Sequence, residues 1–183
     1  RRQRQMCIRD SKGLDLVKGG VDNIMTYSNA QFVVLGSGDW EYEQFFKEMQ
    51  AKYPGRFVLC QGFVPELARK IYGGSDIFLM PSKSEPCGLS QMVALRYGSI
   101  PVVRETGGLK DSITDSGDGK GNGFTFQTYD TQDMLNSVHR AIYAYNESKD
   151  GWKVLVERAM ACDNSWGRSA NDYIRLYKQL INS

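Results

Sequence analysis

The 183 residues predict an α/β protein with a doubly wound parallel sheet and a helical C-terminal third. Three observations carry that reading. Short apolar runs rich in β-branched and aromatic residues recur at 31–36, 56–63, 76–80 and 100–104. Helix-period segments stand between them. The runs are apolar nearly throughout, which marks strands of a parallel sheet covered on both faces.

The elements follow in order. "QFVVLG" (31–36) reads as a strand, and 39–53 then places Trp40, Phe45, Phe46 and Met49 near helical spacing. "RFVLCQGF" (56–63) is the next strand, with a helix over 66–73. "DIFLM" (76–80) leads to a helix over 88–97, and "IPVVR" (100–104) to a short helix after Gly108. "DSGDGKGNG" (115–123) is polar and glycine-rich and reads as a flexible loop; its aspartates lack the spacing of a calcium loop. Helices are predicted over 130–145, 151–162 and 166–181. The last carries an apolar stripe from Trp166 through Tyr173 and Tyr177 to Ile181. That stripe suits packing on this domain or on a second one.

A net charge of +2, with 41% apolar and 24% charged residues, places the chain among ordinary soluble globular proteins. No basic stripe with interleaved aromatics is present, so no nucleic-acid partner is expected. No apolar run approaches the roughly 18 residues of a membrane span, so no membrane is expected either. The four cysteines, at 7, 60, 87 and 162, are isolated from one another and from the single His139. That excludes a zinc knuckle and a disulfide framework and favours a reducing, cytoplasmic setting. No Asp-x-Asp pair offers a metal anchor, and His139 reads as surface.

Residues 1–10, "RRQRQMCIRD", have no apolar period. They resemble a translated sequencing adapter more than a natural basic tail. The domain is therefore expected to span 11–183. Its source gene decides the point: a native "RRQRQMCIRD" before Lys12 removes that expectation.

Ligands of such sheets bind outside the carboxyl ends of the strands. "GSGD" (36–39) has two glycines there but lacks the third of a dinucleotide fingerprint. Phe63 closes the next strand, where it can stack on a base or belong to the core. "SEPCGLSQ" (84–91) offers a carboxylate, Glu85, and a turn through Pro86 and Gly88. Gly88, Leu89 and Ser90 then open a helix, whose free N–H groups attract anions. A nucleophilic Cys87 would need a base, and the only histidine lies in another helix. One strand further on, Thr106, Gly107 and Gly108 repeat the arrangement. Two adjacent strand ends with ligand-type turns are far more specific than either alone.

Together with these turns, "SKGLDL", "VVLGSGDWEYE", "IYGGSDIFLMPSKSEPCGLSQMVALRYGSIPVVRETGGLKDSI", "GNGFTF" and "NSWGRSANDYIRLY" resemble, in order, the C-terminal domain of bacterial glycogen synthase and starch synthase. The resemblance implies the Rossmann-like C-terminal half of a GT-B fold. It implies transfer of glucose from ADP-glucose, or UDP-glucose in some members, to the non-reducing end of an α-1,4-glucan. The anomeric configuration is retained and neither metal nor cofactor takes part. Lys12 matches the lysine that neutralises the diphosphate, Phe63 the aromatic on adenine, and Glu85 the carboxylate that holds the glucose ring. Cys87, Gly88, Leu89 and Ser90 match the segment that follows, and Thr106, Gly107 and Gly108 the turn over the sugar phosphates. Those matches make Lys12 and Glu85 the expected catalytic residues and the rest donor-binding.

Two departures stand out. The family has an arginine five positions before the lysine, where this chain has Cys7. The domain's first strand and the family's N-terminal domain, an expected partner of the site, are expected to be missing. A sucrose- or trehalose-type enzyme of the same fold is disfavoured, because those carry a second glutamate eight positions after the first, where Val93 stands. A non-enzymatic nucleotide-sugar-binding module is the third reading.

Overall fold

The computed structural model describes residues 7–8, 10–62 and 64–181. Its strands are β1 (Cys7–Ile8), β2 (Phe32–Gly38), β3 (Phe57–Gln61), β4 (Ile77–Met80), β5 (Ile100–Arg104) and β6 (Phe124–Phe126). Its helices are α1 (Leu14–Tyr27), α2 (Trp40–Lys52), α3 (Pro65–Gly74), α4 (Ser90–Tyr97), α5 (Gly107–Ser112), α6 (Thr131–Glu147), α7 (Lys149–Met160) and α8 (Trp166–Ile181). Among the described residues every strand pairing is parallel. The strands form two half-sheets, ordered β1-β2-β3 and β4-β5-β6. Parallel neighbours require crossovers, and the helices supply them.

The strands predicted at 31–36, 56–63, 76–80 and 100–104 are β2 to β5. The core explains why they read so plainly. Ile100, Val102 and Val103 of β5 are fully buried, with Phe46 of α2 and Phe57 of β3. Phe32, Phe57 and Phe46 stack in a row, with successive ring centroids 5.4 and 5.9 Å apart. Helix α1 packs against α6, and Val21, Ile24 and Met25 of the first and Met134, Val138 and Ala141 of the second are buried in the same core. The C-terminal helix α8 buries none of its side chains, so its apolar stripe is not used on this domain.

Some elements differ from the expectation. Cys7 and Ile8, expected outside the fold, pair with Ser37 and Gly38 at the carboxyl end of β2. Ser37 and Gly38, expected as a loop, continue β2. His139 is half-buried rather than plain surface, with a ring nitrogen 2.9 Å from Asn23 Oδ1 across the α1–α6 contact. The segment 115–123 is pinned rather than loose. Asp115 accepts from the backbone N–H of Gly117 and Thr125, each at 2.8 Å, and pairs with Arg140. Arg158 donates to the carbonyls of Gly119 and Gly121, and Asn122 to that of Ser112.

Burial pushes the Asp115 carboxyl up. Arg140 and the two amides together outweigh that and hold it below the usual carboxylate range. A carboxylate depressed by folding stabilises fully above its unfolded pKa of about 4 and loses that contribution as pH falls through the folded value. Asp115→Asn is therefore expected to lower the melting temperature at pH 7 by about 3–6 °C. It should also flatten the acid limb of the melting profile below about pH 4. An acid limb as steep as that of the unaltered chain would contradict this role.

Candidate active site

The carboxyl ends of β4 and β5 carry three chain segments packed on one another: 11–13, 81–90 and 104–108. Lys12 closes a 3-10 turn just before α1. Gly13 follows with φ +74°, and a Cβ there would stand 1.9 Å from the Pro81 carbonyl oxygen. The Lys83 N–H donates to the Ser11 carbonyl at 3.1 Å. These contacts bring residues 73 apart together, and Lys12 Nζ lies 2.6 Å from Glu85 Oε2. The Glu85 side chain is 11% exposed and that of Lys12 35%. A carboxylate this buried needs a partner, and Lys12 supplies it.

The loop that carries Glu85 is held from the other side by the glycine pair. Gly107 has φ +44°, and a Cβ there would meet the Glu85 carbonyl oxygen at 2.2 Å. A Cβ on Gly108 would meet the Cys87 carbonyl oxygen at 1.8 Å. The Gly108 N–H donates to the Glu85 carbonyl at 3.1 Å and the Leu109 N–H to Thr106 at 3.1 Å. The sequence suggested that these amides face a ligand. Gly108 instead clamps the Glu85 loop, while Gly107 stands exposed above it.

Helix α4 begins at Ser90, two residues later than predicted, because Gly88 takes a left-handed turn with φ +69°. Cys87 and Leu89 are exposed, Gly88 is buried and Ser90 half-buried. The Ser90 hydroxyl is hydrogen-bonded to Tyr72, whose phenol burial pushes up against that bond. Phe63 lies outside the described residues. Thr106 is half-exposed at the cap of α5.

Two residues that sequence reasoning passed over complete the frame. Arg104, at the end of β5, donates to the Lys83 carbonyl at 2.8 Å, and its guanidinium lies over Tyr129 at 5.4 Å. Tyr129 in turn donates to Asp15 of α1. Gln91 is fully buried and donates to the Gly88 carbonyl at 3.1 Å and to Ser112 at 3.1 Å. Arg104 was visible only as the end of a strand. Gln91 was visible as a polar residue on the inner face of α4, beside Ala94 and Leu95.

By fold, this is a GT-B-type glycosyltransferase domain. The catalytic domain of Starch Synthase IV from Arabidopsis thaliana, solved bound to ADP and acarbose, superposes with a TM-score of 0.82. It is 35% identical, over 97% of this chain and 38% of that one. The chain belongs to the family described as glycosyl transferases group 1, whose model matches residues 8–151. A glycogen synthase from Pseudothermotoga lettingae is 49% identical over 94% of this chain and 36% of its own length. Another, from Geobacillus thermodenitrificans, is 52% identical over 93% of this chain and 35% of its own. The chain thus spans about a third of the length of these relatives.

The clamp is testable on its own. Gly108→Ala sets a methyl against backbone, which cannot turn aside as a side chain can. It is expected to cost about 3 kcal/mol and to lower the melting temperature by about 5–10 °C. Lys110→Ala, on an exposed face of the same short helix, should leave it within about 2 °C. Equal melting temperatures for Gly108→Ala and the unaltered chain would refute the close approach.

Proposed function

We propose that this chain is the donor-binding half of a glycogen or starch synthase. That enzyme transfers glucose from ADP-glucose to the non-reducing end of an α-1,4-glucan with retention. The observation that carries the reading is the Lys12–Glu85 pair, set at 2.6 Å between two strand ends and beside the start of α4. The relatives named glycogen synthase support the reaction, and the starch synthase solved with ADP supports the base.

Cleaving the anomeric C–O bond builds positive charge on the sugar and negative charge on the departing diphosphate. The second charge is what a protein of this kind must stabilise. Lys12 and the N-terminal end of α4 are assigned to the diphosphate oxygens. Glu85, on the other side of the pair, accepts hydrogen bonds from glucose hydroxyls and fixes the ring. Gly107 and Thr106 border the same space. Phe63 is assigned to the adenine face. The acceptor hydroxyl attacks from the face the diphosphate leaves, and the diphosphate oxygen takes its proton. No covalent nucleophile is needed, and Cys87 is not given that role.

The acceptor and the remaining groups around the sugar are assigned to an N-terminal domain. The 183-residue chain is therefore expected to bind donor without turnover. A cytoplasmic setting fits this substrate. Among the described residues no helix is long and apolar enough to cross a membrane.

Calorimetric titration with ADP-glucose, ADP and UDP tests the assignment. ADP should bind more tightly than UDP. Because Glu85 is the group assigned to the glucose ring, Glu85→Ala should cut the preference for ADP-glucose over ADP by about tenfold. An unchanged ratio counts against the carboxylate's role. Incubation with ADP-glucose and a glucan primer should yield no elongation, and measurable elongation by this chain alone would overturn the half-site reading.

A further inference from the structure

Tyr129 sits where the supports of the Lys12–Glu85 pair meet. It occupies the short link between β6 and α6, and hydrogen bonds hold that link on both sides. Asp133 accepts from the backbone N–H groups of Gln127 at 3.1 Å and Thr128 at 2.8 Å. Asp130 caps α6, accepting from the N–H of Gln132 at 2.8 Å and of Asp133 at 3.1 Å. The half-buried Tyr129 ring packs against the core from this fixed backbone.

Two cations share that ring. The Lys83 ammonium lies 5.5 Å from its centroid and the Arg104 guanidinium 5.4 Å. Like charges repel, and the electron-rich phenol ring offsets that repulsion. Both cations bear on the loop that carries Glu85. Lys83 stands two residues before it, and Arg104 donates to the Lys83 carbonyl at 2.8 Å. The phenol hydroxyl reaches the other half of the pair. It donates to Asp15, in the first turn of α1 and three residues after Lys12. One side chain thus bears on Glu85 through its ring and on Lys12 through its hydroxyl.

We infer that Tyr129 is a positioning residue of the donor site: its ring sets the Glu85 loop, and its hydroxyl sets the turn that carries Lys12. The inference rests on the donor-binding reading. In that reading Lys12 serves the diphosphate, which ADP and ADP-glucose share, and Glu85 serves the glucose, which only ADP-glucose carries. Loss of the hydroxyl should therefore weaken both ligands alike. Loss of the ring should also erode the preference for ADP-glucose. A purely structural tyrosine would produce neither split.

Calorimetric titration of the full chain with ADP and with ADP-glucose, well below the melting temperature of each variant, tests this. Tyr129→Phe keeps the ring and should weaken both ligands about threefold, with their ratio unchanged. Tyr129→Leu should in addition cut the ratio about threefold. Asp15→Ala should match Tyr129→Phe, and the two together should lose no more than either alone. An unchanged ratio in Tyr129→Leu would overturn the inference, and so would losses that multiply in the Tyr129→Phe and Asp15→Ala pair. Full affinity in all three single variants, even with lowered melting temperatures, would overturn it too. An unaltered chain that binds neither nucleotide would overturn the donor-binding reading, and the inference with it.

Discussion

The site depends on one steric constraint: three backbone turns stand closer together than any side chain would allow. Positions 13, 107 and 108 would each drive a Cβ to within about 2 Å of a carbonyl oxygen on the loop between β4 and α4. Glycine at all three lets the 11–13 turn and the 106–108 turn grip that loop from both sides. The Lys83–Ser11 and Gly108–Glu85 backbone hydrogen bonds then fix its height. Glu85 and Lys12 meet because the backbone leaves them little freedom, and positioning of this kind makes a polar group effective.

The electrostatics follow from that geometry. Glu85 is removed from water and is met by the Lys12 ammonium. Such a pair suits a ligand that carries anionic oxygens at one end and hydroxyls at the other. Arg104 is spent differently, holding a carbonyl of the site loop and stacking on Tyr129. The frame thus reaches from β5 through Tyr129 to Asp15 in α1, and each strand end near the site is braced by a polar side chain.

The strands were readable because burial on both faces writes continuous apolar runs. β6 was not, since three residues cannot display a period and only pairing with β5 makes them a strand. Helix α1 went unread as well. Its Gly19 and Gly20 interrupt the pattern, yet they let Thr131, Met134 and Leu135 of α6 come close. The site loops were recognisable by glycine, proline and carboxylate at strand ends. Their grip on one another was not, because Lys12 and Glu85 are 73 residues apart. The amides of the Thr-Gly-Gly turn looked like ligand groups for the same reason: sequence shows a free donor but not the Glu85 carbonyl that takes it up. The pinning of 115–123 was hidden likewise, since Arg140 and Arg158 lie in later helices.

The most direct test of the central claim is a nitrogen-15 NMR titration of the chain with ADP-glucose. Binding at the braced strand ends predicts shifts concentrated at Gly13, at Gly88 to Gln91 and at Gly107, with the side-chain ammonium signal of Lys12 moving as well. Shifts confined to the opposite end of the strands, or to the surface around Arg168 and Arg175 of α8, would contradict the account.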